Sequence, residues 1–126
     1  MKILFTLIVI FLNSATGFTQ EAEFNIDKSV IKFPKTLEGE ILEHTFLVEN
    51  TGNAPLIISD YEVACPCTKL TYPNQPINPG DKAELKVTFD TSGKYYFQDR
   101  AVIVHTNTKT GTHKLRVKVN VIPKDK

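Results

Sequence analysis

The chain has 126 residues, with 15 Lys+Arg against 14 Asp+Glu, a formal net charge of +1 at pH 7, and 41% hydrophobic side chains. That is apolar material for one domain with its own core, without need of metal or disulfide staples. The charges are interspersed and nearly balanced, which excludes the electrostatic footprint of a nucleic-acid binder or an anionic-membrane binder.

The N-terminal stretch MKILFTLIVIFLNSATGFTQ sets Lys2 ahead of a mostly apolar run from Ile3 to Leu12, followed by small and polar residues. This order predicts a secretory signal peptide over residues 1–20, cleaved after Gly17 or after Gln20, with Ala15 and Gly17 as the small residues a signal peptidase inspects. The run is about half of the roughly 20 residues a membrane-spanning helix needs. No Cys follows it, so a lipid anchor is not expected. A buried N-terminal strand is the alternative, and it leaves Lys2 and the small-residue exit unexplained. Residues 21–126 are then the mature domain. With Lys2 removed, its basic and acidic residues are equal in number. It is expected to be exported, periplasmic or secreted, with no membrane insertion after cleavage. Nothing in the closing VNVIPKDK reads as an anchor or sorting tail. Residues 123–126 are expected to fray past the last strand or to reach a neighbouring chain.

Beyond the leader, apolar residues recur with period two. The strand candidates in order are SVIKF, ILEHTFLVEN, PLIISDYEV, TKLTY, KAELKVTFD, YYFQDRAVIVHT and HKLRVKVNV. In ILEHTFLVEN, Leu42, His44, Phe46 and Val48 share a face. Ala83, Leu85, Val87 and Phe89 do so in KAELKVTFD, as do Leu115, Val117, Val119 and Val121 in HKLRVKVNV. The stretches between them, TLEGE, NTGNAP, NQPINPGD, DTSGK and NTKTGT, supply turn residues. Pro55, Pro73, Pro76 and Pro79 fall at strand edges or in connections, where a missing N–H does no harm. The expected fold is all-β: a single immunoglobulin-like antiparallel β-sandwich of about seven strands, with no internal repeat or domain boundary.

There is no Trp, and the two cysteines sit together, so no disulfide pins one sheet to the other. Packing must hold the sandwich, with Phe24, Phe33, Phe46, Phe89 and Phe97 expected as the bulk of the core.

Five short motifs follow one another along this domain. They are Asn50-Thr51-Gly52 with Pro55-Leu56, Ala64-Cys65-Pro66-Cys67-Thr68, Pro76-Ile77-Asn78-Pro79-Gly80, Phe89-Asp90-Thr91 with Gly93, and Thr106-Asn107. In this order they resemble a bacterial family of exported immunoglobulin-like domains, filed as a domain of unknown function. That family carries N-T-G-x-x-P-L, S-C-G-C-T, P-I-x-P-G, F-D-T…G and T-N. It is similar in turn to sperm-protein-like and pilus-chaperone-like sandwiches, most of which bind other proteins. The resemblance covers nearly all of the mature chain and implies a periplasmic or secreted location. It supplies no established activity. One position departs from it: Pro66 stands where the family usually has Gly. Pro fixes φ near −65° and pushes Cys65 towards an extended conformation, so the geometry of the pair is narrower here.

Cys65 and Cys67 admit three readings. An oxidising compartment favours a local disulfide, and the structural reading is a small ring, or two reduced thiols, ending a strand and shaping the next turn. In an extended strand, residues two apart lie about 6.5–7 Å apart at Cα, the outer limit for a bridge, so closure demands a kink. The second reading is redox chemistry at a strained, easily reduced ring, without the helix N-terminus or C-x-x-C of thioredoxin-like proteins. The third is a soft-metal site, with Cys65 and Cys67 clamping Cu(I) and His44 or His105 assisting. Structural alternatives stand beside each imidazole. His44 lies on an apolar face and reads as a histidine at the rim of the core, His113 borders a turn, and His105 ends a strand.

No catalytic or cofactor-binding residues are nominated and no cofactor is expected. G-x-S-x-G, H-E-x-x-H, P-loop and dinucleotide fingerprints are absent, and Asp27, Asp60, Asp90 and Asp99 are scattered. Ser59 and Thr88 lack evident His–Asp partners. The expected function is a binding or structural module that meets another protein through its loops or by adding a strand to an exposed edge, and not an enzyme. The alternative is a thiol- or copper-handling protein using Cys65 and Cys67.

Overall fold

The computed structural model describes residues 19–124, so the expected signal peptide lies almost wholly outside the described residues. Nine strands are present among them: β1 (Phe24–Ile26), β2 (Val30–Lys32), β3 (Thr36–Leu37), β4 (Ile41–Asn50), β5 (Ile58–Val63), β6 (Thr68–Thr71), β7 (Lys82–Asp90), β8 (Tyr96–Thr106) and β9 (Thr112–Ile122). They form two sheets, one in the order β1-β4-β7-β6 and the other β2-β9-β8-β5, with β3 also on β9. This is the expected immunoglobulin-like sandwich. Seven of its strands match the alternating stretches of the sequence, and β1 and β3 are additional.

The first sheet is antiparallel throughout, whereas β2 and β3 join β9 in parallel. The cause lies in the N-terminal segment, which serves both sheets. Phe24–Ile26 pairs with β4, the chain bends at Asp27–Ser29, and Val30–Lys32 then runs beside β9. The ladder on β9 breaks over residues 33–35 and resumes at Thr36 with its register shifted by one residue. The Thr36 hydroxyl caps the break by donating to the Pro34 carbonyl at 2.9 Å.

The core lies where the period-two faces meet. Phe46 and Val48 of β4 and Leu85, Val87 and Phe89 of β7 pack opposite Val102 and Val104 of β8 and Leu115, Val117, Val119 and Val121 of β9, all buried. Burial of side chains this size contributes about 1.5–3 kcal/mol each, which is what replaces an inter-sheet disulfide. Of the five phenylalanines expected inside, Phe46 and Phe89 are buried and Phe24 and Phe33 pack against the core. Phe97 does not: it is 60% exposed. Val102 and Val104 fix which face of β8 is inward, and counting back by twos from them lands on Arg100 and Gln98, leaving Phe97 on the other face.

Candidate functional site

The connections gather at two ends of the sandwich. One end is formed by the loops around Asn50, Pro55, Pro76 and Asn107, the other by the Cys65–Cys67 turn and the segments around Leu37, Thr91 and Tyr95.

At the first end, Asn50 closes β4 as a fully buried residue. Its Nδ2 donates to the carbonyls of Ala54 (2.7 Å) and Ile77 (2.9 Å), and its Oδ1 accepts from the amides of Gly52 (3.0 Å) and Glu23 (3.2 Å). A carboxamide has two donors and two acceptor lone pairs, and all are engaged. Leu56 and Ile77 add a two-residue bridge beside it. Asn107 repeats the device, accepting from the Ile57 amide at 2.8 Å and donating to the Pro55 carbonyl at 2.9 Å. Gly52 is required by proximity, because a Cβ there would fall on the backbone of Glu21 and Glu23. Three of the five sequence motifs therefore act as structural fastenings at this end.

At the other end, β5 leaves the sheet after Val63, which pairs with Val102, while β8 continues back to Tyr96 paired to β9 alone. The edge of β8 from Tyr96 to Ala101 thus has no ladder partner on the β5 side among the described residues. Tyr95, Tyr96 and Phe97 are exposed along it, and Leu37, Ile41 and Ile122 are exposed nearby. Six of the nine large hydrophobics exposed among the described residues belong to this end, where β3, β4 and β8 begin and β9 finishes. Tyr96 holds φ 64°, a left-handed conformation that costs a non-glycine residue about 1–2 kcal/mol. Two buried polar atoms, Asp99 Oδ1 and Arg100 Nε, have no hydrogen-bond partner among the described residues. The other Asp99 oxygen accepts from Arg116 at 3.0 Å, and the Arg100 guanidinium lies 5.6 Å from the centre of the Phe89 ring.

The cysteines sit at this same end, in the crossover from β5 to β6. Thr68 N–H donates to the Cys65 carbonyl at 3.1 Å, closing a turn with Pro66 in its second position, where its fixed φ is favoured. The Asp90 amide donates to the Cys67 carbonyl at 2.9 Å and ties the turn to the end of β7. This is the kink that an extended C-x-C lacks: the Cα atoms are 5.1 Å apart, with the sulfurs at disulfide distance. Cys67 packs against the core, and Pro66 is exposed. Asp90 beside it is held below the usual carboxylate range by the amide and hydroxyl of Ser92.

The imidazoles stand elsewhere. His44 lies on β4 opposite Val87, with β7 between it and β6, so about 10 Å separates its strand from the strand that leaves Cys67. It packs edge-on against Phe46 and Phe33, and burial, then the charge of Lys28, lowers its pKa. His105 pairs with Asp60 at the far end of β5 from the cysteines and has its Nε2 3.5 Å from Glu62. His113 stacks on Phe24 with ring centres 4.2 Å apart, bonds Thr108 at 2.8 Å, and is likewise lowered by burial. Among the described residues no group of three or more His, Cys, Asp or Glu is placed to hold a metal. The unpaired edge of β8 and its exposed aromatics escaped the sequence reading. The signal was there in the parity of Val102 and Val104 against Phe97.

Two sheets in this order, with the N-terminal segment shared between them, define an immunoglobulin-like β-sandwich. Over residues 24–121 the chain belongs to the family described as a protein of unknown function, DUF1573. Among solved structures it is similar to a protein of unknown function from Porphyromonas gingivalis W83 (TM-score 0.70, 16% identity), with 80% of this chain covered and 47% of that one. This chain thus spans about half the length of that protein. The ASH/PapD-like domain 7 of human CEP192 is also similar (TM-score 0.58, 15% identity, 84% and 88% covered). So is the YadV chaperone (TM-score 0.55, 14% identity, 81% and 52% covered). Others include two Vibrio cholerae proteases, one of them described as secreted, and a glycoside hydrolase, each matched over a minor part of its chain. At these identities the likeness is one of fold alone. No curated protein matches the sequence significantly.

Proposed function

We propose that this chain is an exported, non-enzymatic immunoglobulin-like module that binds another protein at the Cys65 end of the sandwich. The observation that carries the reading is the unpaired edge of β8 over Tyr96–Ala101, lined by exposed Tyr95, Tyr96 and Phe97. An unpaired edge offers backbone donors and acceptors to an extended segment, and exposed aromatics give such a contact its apolar anchor. The leader over residues 1–20, read from Lys2 and the run Ile3–Leu12, supports a periplasmic or secreted location.

A photo-crosslinking residue in place of Phe97, compared with one in place of exposed Ile57 at the opposite end, tests the site in intact cells that make the protein with its leader. A discrete adduct from position 97 that is absent from position 57 is expected. Equal or no adduct from the two positions removes the basis for the reading. Fractionation of the same cells tests export, and full-length, leader-bearing protein in the cytoplasm would contradict it.

The copper-handling alternative has less support, because His44 and His105 lie away from the cysteine turn. The thiol half of that alternative has its own geometry.

A further inference from the structure

We propose that Cys65 and Cys67 form a thiol–disulfide exchange site that oxidises a dithiol on a protein substrate, with Cys65 as the sulfur attacked and Cys67 as the leaving sulfur. The inference does not depend on which partner, if any, docks on β8.

The structural role left for this bridge is small. It joins two residues of one turn rather than the two sheets, and the turn is already closed by the Thr68 N–H to Cys65 carbonyl bond and anchored by the Asp90 amide. A ring this short removes little loop entropy from the unfolded chain, about 1–2 kcal/mol. The two sheets are held instead by side chains from β4, β7, β8 and β9.

The surroundings of the sulfurs favour their reduced, charged form. Cys65 Sγ accepts the backbone N–H of Cys67 at 3.2 Å. Cys67 Sγ lies 3.7 Å from the hydroxyl of Thr68, whose residue is buried and whose hydroxyl has no other partner among the hydrogen bonds of the described residues. A bridged sulfur carries no proton, so in the oxidised form each of these groups donates to sulfur. A donor aimed at sulfur stabilises a thiolate more than a disulfide, because the negative charge strengthens the hydrogen bond. Stabilising the reduced state makes a disulfide the better oxidant.

The two sulfurs are not equivalent. Both cysteines are half-buried, but Cys67 packs against the core and Cys65 takes no part in that packing. A thiolate entering from solvent therefore meets Cys65 Sγ with Cys67 Sγ behind it. The incoming sulfur bonds to Cys65 Sγ, the bond between the two cysteine sulfurs breaks, and its electron pair leaves on Cys67 Sγ beside the Thr68 hydroxyl. A second thiolate on the same substrate attacks the substrate's first sulfur and releases Cys65 as thiolate. The substrate loses two electrons and two protons to become a disulfide, and Cys65 and Cys67 gain them.

Equilibration of the mature protein in reduced and oxidised glutathione, quenched by alkylation and counted by mass, tests this. The bridge is expected to be half reduced in a buffer that leaves a buried structural disulfide such as that of an immunoglobulin domain oxidised. The reduced protein should keep its fold. Resistance to glutathione, unfolding on reduction, or isolation of an open dithiol that does not close on oxidation would each overturn the proposal. The single variants assign the sulfurs. Cys67→Ser should accumulate a glutathione adduct on Cys65 several-fold faster than Cys65→Ser does on Cys67, and equal rates would remove the assignment. Thr68→Val keeps the shape of a buried side chain and removes the donor. It is expected to lower the equilibrium oxidising power of the bridge roughly three- to tenfold with the melting temperature little changed, since a tenfold change corresponds to about 1.4 kcal/mol. No shift in Thr68→Val would show that the hydroxyl does not act on the sulfur.

Discussion

The two ends of the sandwich treat their polar and apolar groups in opposite ways. At the Asn50 end a fully buried carboxamide has all four hydrogen-bonding positions filled by backbone, and an exposed asparagine, Asn107, adds one bond to the Ile57 amide and one to the Pro55 carbonyl. At the Cys65 end a carboxylate oxygen and a guanidinium nitrogen are buried without partners among the described residues, Tyr96 holds a left-handed backbone, and aromatics face solvent. An end that only closes a fold satisfies its groups. Strain and unmet polar groups persist where something other than stability maintains them, and such places tend to be functional. The sequence motifs divide along the same line, since those rich in Asn, Pro and Gly build the first end and the C-P-C motif shapes the second.

The largest effect expected from breaking this contrast is at Asn50. Asn50→Ala strands the carbonyl of Ala54 and the amides of Gly52 and Glu23, leaves the Ile77 carbonyl with the Leu56 amide alone, and should cost about 3–5 kcal/mol. The urea midpoint measures it. A loss under about 1 kcal/mol would mean that water takes over the network and that the end is not a fastening. At the other end Phe97→Ser should change stability by less than about 0.5 kcal/mol, because its side chain is mostly in water.

Much of this was legible from residues. The inward faces of β4, β7 and β9 follow from alternation alone, because each strand keeps one parity over nine or more residues. Two short strands were not legible: β1 and β3 have three and two residues, too few to show a period, whereas β2, also of three, was found because SVIKF around it is apolar at Val30, Ile31 and Phe33. Their parallel pairing, in β3 as in β2, depends on which sheet the chain has crossed to. The N-T-G turn could be read as a turn, but a buried amide hub depends on what lies above it, here Ile77 and Glu23 from distant parts of the chain. For the cysteines, the sequence supplied the need for a kink, and the pairing of Thr68 with Phe89 that places it beside Asp90 is tertiary.

Removing both sulfurs should have the next largest effect. Cys65→Ser with Cys67→Ser is expected to lower stability by about 1–2 kcal/mol, the loop-entropy value for a short ring. A loss above about 4 kcal/mol would make the bridge a fastening like Asn50 and blur the difference between the ends. Tyr96→Gly sharpens the difference by its sign. Glycine adopts positive φ without a Cβ penalty, so this variant should gain about 1 kcal/mol while removing an aromatic from the proposed docking edge. A stabilised protein with weaker crosslinking from position 97 is the expected pair of results. A destabilised one would show that the Tyr96 side chain holds the end together.

The smallest effect separates the two lowered histidines, His113 beside the first end and His44 under β2. Both have folded pKa values below the ordinary 6.5, so near that pH the unfolded chain binds more protons than the native one. Their contribution to stability is complete above about pH 6.5 and is lost as pH falls through the folded values, so melting temperature should decline on acidification within that window. Salt then distinguishes them. Burial alone lowers His113, and salt does not reverse burial. His44 is lowered by burial first and by the Lys28 charge second, and added salt screens the second part. In an NMR titration at low and high ionic strength the His44 pKa should move upward with salt and the His113 pKa should not. The reverse would mean that a charge, rather than the stack on Phe24, governs the environment of His113.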